Sequence, residues 1–212
     1  MLHPRLLVAE SLLEPMRQDR VLSVGAKRCE LERRLAPRVA SIDAIDVEPY
    51  VSEGNLPANV RYTVADVTRG LPFPDHTFDK VLYLEVMEHL PRGTEVLALR
   101  EIRRVLRPGG MLVMSTPNWH VLACASDPAY WLRDHRHYRK KHVVAMLGTN
   151  GFHVDRTLTH GGAAEAVWVP SFYLASRVGL GATAAQWMHR AIAPEYRRLG
   201  WYTLFVRATV TE

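Results

Sequence analysis

Cysteine is scarce: Cys29 and Cys124 are the two in 212 residues. That is too few for a disulfide scaffold, and their spacing fits no metal-ligand or redox motif. Two isolated thiols in a reducing, cytoplasmic setting is the expectation. Long apolar runs are missing as well. No window approaches the ~18 uninterrupted apolar residues of a membrane span. The stretch Leu6, Leu7, Val8, Leu12 and Leu13 is broken by Glu10 and Glu14 and has no small-residue cleavage site. It reads as an amphipathic helix within residues 1–19, not as a secretion signal. Neither sign of charge dominates, since 27 Lys and Arg face 22 Asp and Glu. Repeats, low-complexity tracts and a domain linker are also lacking, so residues 1–212 are expected to form one domain. What is present is 48% apolar and 23% charged residues, enough for an ordinary core that needs no staple.

From residue 20 onward short β-branched runs alternate with helical periodicity, the pattern of βα units around a mostly parallel sheet. Strands are expected at 21–25, 39–46, 60–66, 79–84, 111–115, 152–158 and 201–210. Helices are expected at 30–35, through Val96, Leu97, Leu99, Ile102, Val105 and Leu106, and at 140–147. Arg107-Pro108-Gly109-Gly110 is a breaker that should end the second of these helices. Residues 160–199 form an insertion too long for a bare connection. With Trp168, Phe172, Tyr173, Leu174 and Trp187 it should be helical, either covering a substrate pocket, forming a homodimer face, or simply packing on the sheet edge.

Ligands of open parallel sheets bind beyond the carboxyl ends of the strands. Here those ends carry Gly25, Asp46, Asp66, Glu85 and the turn from Ser115 to Asn118. A glycine there lets backbone approach a ligand, and an acid closing the second strand can accept bonds from ribose hydroxyls. Singly these are ordinary turn residues. Their order is more specific: Asp66-Val67, then Leu71-Pro72-Phe73-Pro74-Asp75-His76-Thr77-Phe78-Asp79, then Leu84-Glu85-Val86-Met87-Glu88-His89-Leu90, then Leu106-Arg107-Pro108-Gly109-Gly110. This series resembles the class I S-adenosylmethionine-dependent methyltransferases, in particular the type 11-like group, over about residues 20–158. The resemblance implies an α/β, Rossmann-like, seven-stranded, mostly parallel sheet with one antiparallel strand and helices on both faces. It implies S-adenosylmethionine as cofactor. Gly25 and Ala26 would receive its methionine end, Asp46 and Val47 its ribose, and Asp66 and Val67 its adenine, with Leu84 and Glu85 alongside. The family places three glycines at alternate positions after the first strand, but here Lys27 and Cys29 occupy two of them. Side chains there restrict positive φ. Either the loop takes another shape and still binds, through amides near Glu30, or the cofactor has been lost. The first is the working expectation.

Glu85, Glu88 and His89 stand at i, i+3 and i+4, one face of a helical turn, and could hold Mg2+ or Mn2+. The stretch is similar to the metal-binding segment of small-RNA 2′-O-methyltransferases and ubiquinone-pathway O-methyltransferases. His120, His135 or His137 could complete the set, although relatives without metal carry the same stretch. Trp119, His120, Tyr130, Arg136, His137 and Tyr138 follow the fifth strand, where the resemblance implies acceptor binding; the bland alternative is a solvated loop leading into a helix. Residues 133–142 hold five cations against Asp134 alone, hence four of the surplus five charges. These features together predict O-methylation of a small or glycan-like, anionic, hydroxylated substrate, with His89 or His135 as base. An RNA methyltransferase and a cofactor-free binding protein are the rivals, nucleic acid being the less expected partner.

Overall fold

In the computed structural model residues 2–51, 55–132, 135–177, 179 and 181–211 are described. Arg133, Asp134 and the side chain of Tyr173 lie outside them. The seven strands are β1 (Arg20–Val24), β2 (Ser41–Asp46), β3 (Val60–Val64), β4 (Phe78–Leu84), β5 (Leu106–Pro117), β6 (Phe152–His160) and β7 (Thr203–Val210). They form one sheet in the order β3-β2-β1-β4-β5-β7-β6, with β7 antiparallel to both neighbours and β1 to β5 parallel. The expected doubly covered α/β sheet is therefore present.

Strand alternation sorts the core into two layers. Val21 and Leu82 point to a layer shared with Leu12 and Leu13 of α1 (Pro4–Leu13) and with Leu31 and Leu35 of α2 (Glu30–Leu35). Leu22, Val81 and Tyr83 point to the other layer, against Leu99 and Ile102 of α3 (Glu95–Val105) and Leu147 of α6 (Lys140–Thr149). Between β5 and α6 run two short helices, α4 (Val121–Ser126) and α5 (Pro128–Leu132). After β6 come α7 (Ala163–Arg177) and α8 (Gly181–Ile192), with Ala164, Trp168 and Phe172 of α7 packed on the α1 side. No helix is long and apolar enough to cross a membrane among the described residues.

One element differs in a way that sequence periodicity misses. The breaker 107–110 was expected to precede the fifth strand, yet it lies within it: Phe78 pairs with Leu106 and Lys80 with Met111, so the intervening residues loop out as a bulge. Gly109 supplies the positive φ, +70°, that this loop requires.

Helix α7 is tied to the sheet through a buried carboxyl. The Tyr196 hydroxyl lies 2.8 Å from both Glu165 oxygens and 3.2 Å from the Thr203 hydroxyl at the start of β7. Burial, opposed by Arg5 and the tyrosine bond, pushes Glu165 up to about 7. Between the ordinary carboxyl range and that value the folded chain keeps a proton that the unfolded chain has released, so this contribution to stability falls as pH rises through the window. Glu165→Gln should therefore gain on the wild type by roughly 3 kcal/mol between about pH 4.5 and pH 7.5, measured by denaturant titration. A difference independent of pH would remove Glu165 from this role.

Candidate active site

The loop from β1 to α2 decides the shape of the site. Gly25, Lys27 and Cys29 have φ of +77°, +45° and +56°, so left-handed residues alternate where the resemblance places glycines. Two L-residues thus carry left-handed backbone, with the strain that goes with it. Hydrogen bonds hold it there. The amides of Gly25 and Ala26 both donate to the Ile45 carbonyl, at 2.9 and 3.0 Å. The Lys27 amide donates to Asp46 Oδ2 at 2.9 Å, while Asp46 Oδ1 takes the Val47 amide at 2.8 Å. At Gly25 a Cβ would stand 2.3 Å from Val86 Cγ2, so any other residue would force a shift there besides adopting positive φ. Cys29 is buried at the helix start and its thiol is pushed up to about 12 by burial and then by Glu32, so it stays protonated.

Two connected hollows flank the loop. One, of about 350 Å³, is lined by Gly25, Asp46, Val47, Asp66, Val67 and His89. The other, of about 340 Å³, is lined by Arg5, Gly25, Ala26, Lys27, Leu84 and Glu85. The eight cofactor residues expected from sequence thus line one or the other. Asp66 also serves its own turn, accepting from the Thr68 amide and hydroxyl at 2.8 and 2.7 Å. Arg5 was not anticipated. It reaches across from α1 to pair with Glu85 Oε2, whose other oxygen takes a 2.7 Å bond from the Ser115 hydroxyl. Burial works against the Arg5 charge, but Glu85, then Tyr196, Glu165 and Glu88, outweigh it and raise its pKa.

Glu85 does not share a face with Glu88 and His89, which corrects the expected metal set. Glu85 itself sits at φ +54°, and a 3-10 turn, Met87–His89, replaces the α-turn, sending Glu88 inward. Glu88 Oε2 accepts from the Thr116 hydroxyl at 3.0 Å, whereas Oε1 is buried without a hydrogen bond, 3.9 Å from His135 Nε2. Its pKa is raised well above the carboxyl range by burial and then by Glu85. The ligand atoms that do converge within 4.8 Å belong to Glu88, His89 and His135. A buried carboxyl oxygen without a hydrogen bond, beside two imidazoles, is a donor set that fits a divalent cation. His89 is pushed down to about 4 by burial, then by His135 and Lys27, and so is neutral near pH 7.

His135 is held from behind by Asp127, whose Oδ2 lies 2.6 Å from Nδ1 and also 2.9 Å from His137 Nε2. Burial alone would raise Asp127, but the bonds to the two histidines outweigh it and hold the carboxyl well below its usual range. Asp127 also caps α5 through a 2.9 Å bond from the Ala129 amide, just before Pro128. The Asp-Pro pair was a readable helix start. Its partnership with histidines eight and ten residues later was not readable, because only the chain reversal after α5 creates it.

The expected acceptor residues divide. Trp119 and His120 stand at the rim, with Arg139 3.8 Å above the Trp119 ring and Trp201 stacked on His120 at 4.5 Å. Tyr130 packs edge-on against His137. Arg136 and Tyr138 are committed inward, which corrects their assignment to substrate. The Arg136 guanidinium pairs with Glu95 and binds the carbonyls of Met87 and Leu90, and the Tyr138 hydroxyl donates to Glu95 at 3.1 Å.

Two substitutions test the loop. Lys27→Gly should add about 1 kcal/mol, the left-handed strain removed less the backbone entropy that glycine brings, and raise the melting temperature by about 2–4 °C. Gly25→Ala, facing both the Val86 contact and positive φ, should cost about 2 kcal/mol or more. Equal and neutral melting temperatures would mean the loop is not strained.

Comparison with known proteins agrees with this geometry. Residues 22–114 match the family described as methyltransferase domain. A Mycolicibacterium smegmatis protein named "Probable S-adenosylmethionine-dependent methyltransferase" is 36% identical over 102 residues, 46% of this chain and 39% of that one. A ubiquinone biosynthesis O-methyltransferase of Xanthomonas oryzae is 33% identical over 105 residues, 47% of this chain and 43% of its own. The chain thus covers less than half the length of these curated relatives. The N-methyltransferase NodS of Bradyrhizobium japonicum, solved with S-adenosylhomocysteine, superimposes with a TM-score of 0.65 at 16% identity, covering 98% of this chain and 86% of that one. Residues 22–114, a little under half of the chain, thus match the methyltransferase-domain family, and the chain as a whole shares the fold of the solved N-methyltransferase NodS.

Proposed function

We propose that this protein transfers the methyl group of S-adenosylmethionine to a hydroxyl of a small, glycan-like acceptor. The observation that carries the acceptor atom is the Asp127–His135 pair at 2.6 Å, beside the His89 wall of the cofactor hollow. When bound, the cofactor supplies a methyl carbon on a sulfonium, whose displacement needs in-line approach and removal of the hydroxyl proton. Asp46, at the end of β2, would accept hydrogen bonds from the ribose hydroxyls. His135 takes the acceptor proton at Nε2, while Asp127 holds Nδ1–H and stabilises the resulting imidazolium. His89, at about 4, is too weakly basic to do this as well. The anionic acceptor expected from residues 133–142 is not carried forward, because Arg136 is already paired with Glu95.

A second reading of the same site is favoured by Glu88 Oε1, buried without a hydrogen bond: Glu88, His89 and His135 would hold a divalent cation that lowers the hydroxyl pKa. Calorimetric titration with S-adenosylhomocysteine, with and without Mg2+ or Mn2+, separates the two. Binding of the product without metal, with Asp127→Asn and His135→Gln each lowering turnover on a hydroxylated panel by about 100-fold or more, supports the histidine base. Metal binding that Glu88→Gln abolishes supports the cation. No heat with the product under any condition would overturn the methyltransferase reading.

A further inference from the structure

We propose that the rim where residues 118–122, 131–132, 138–141 and 197–202 meet docks on an anionic phospholipid surface. This goes beyond the methyl-transfer reading and does not depend on which atom is methylated. Backbone bonds bring these segments together. The Asn118 amide donates to Tyr202, the Trp119 amide to Tyr138, and the Trp201 amide to Gly161, at 2.8, 2.9 and 2.9 Å. Arg139 lies over Trp119, which fixes the start of α6 against the same rim. Tyr130 touches both His137 and Trp131, which brings α5 alongside.

The rim has two properties together. Large apolar side chains stand open on it: Leu199 is 77% exposed, Trp131 68%, Val121 67% and Leu132 66%, with Leu122 beside them. Among the described residues its exposed charges have one sign. Arg139, Lys140, Lys141, Arg197 and Arg198 are exposed, whereas Asp127 is buried and Glu195 is half-buried and bound to the amides of Ala164 and Glu165. Exposed apolar groups flanked by cations are the composition that lies in the headgroup boundary of a bilayer, with aliphatic and indole groups inserted and Lys and Arg on lipid phosphates. A second copy of the chain fits poorly, because a two-fold interface would set this cationic face against itself. Nucleic acid would use the cations but leave Val121, Leu122, Leu132 and Leu199 in water.

Sedimentation of the full chain with vesicles tests this. Vesicles of phosphatidylcholine with about 30% phosphatidylglycerol should carry it down at about 0.1 M salt, pure phosphatidylcholine should not, and about 0.5 M salt should release it. Lys140→Glu with Lys141→Glu, and separately Trp131→Ala with Leu132→Ser, should each weaken partitioning at least about tenfold with unchanged melting temperature. Three results would overturn the proposal: no sedimentation with the anionic vesicles, sedimentation that both double variants retain, or a dimer lost in Trp131→Ala with Leu132→Ser in place of vesicle binding.

Discussion

Everything at the site hangs on the alternation of left-handed residues after β1. Gly25, Lys27 and Cys29 turn the backbone so that two successive amides close on the Ile45 carbonyl and the third closes on Asp46. The Asp46 carboxylate therefore works twice, as the pin that keeps two strained L-residues in place and as the acid at the end of β2 facing the hollow. Strain of this kind persists only where surrounding contacts over-determine it. Here they are two parallel strands in register, Val24 opposite Ile45, with a buried Cys29 anchoring the far end. The departure from glycine therefore leaves left-handed backbone at both positions, carried by L-residues at a cost.

A second constraint runs through Arg5. A guanidinium faces Glu85 directly and feels Glu88, Glu165 and Tyr196, so α1, the end of β4 and α7 converge on one charge. Burying several carboxyl groups around a lone cation is tolerable only if some stay protonated. The raised values of Glu88 and Glu165 are that compensation.

The sheet was legible because β1, β4 and β5 are apolar on both faces and each ends in a residue of recognisable chemistry. Amphipathic spacing likewise exposed α3, whose Leu99, Ile102 and Val105 are buried as the periodicity required, although Leu97 is exposed and Leu106 opens β5. Two things were not legible. The bulge at 107–110 reads as a breaker because its glycines and proline have the same propensities whether a strand ends or loops out. The Asp127–His135–His137 group and the Arg5–Glu85 pair depend on contacts 8 to 80 residues apart, for which a single sequence carries no period.

The basic segment shows how far local charge can mislead. Residues 133–142 looked like one cationic patch aimed at a substrate. In the fold, Arg136 turns inward and, with Tyr138, clamps Glu95 at the start of α3 to the turn that carries Glu88 and His89. That clamp is what brings His135, the preceding residue, within ring contact of His89, with centroids 4.8 Å apart. Arg139, Lys140 and Lys141 turn outward instead, onto the rim. A single run of sequence thus divides at Tyr138 into an inner half that builds the site and an outer half that charges the surface. The division follows from the bridge between Asn118 and Tyr138, which fixes the chain at that point against the end of β5. Substitutions on the two sides of Tyr138 therefore report on different properties of the protein, although the residues concerned are neighbours in sequence and carry the same charge.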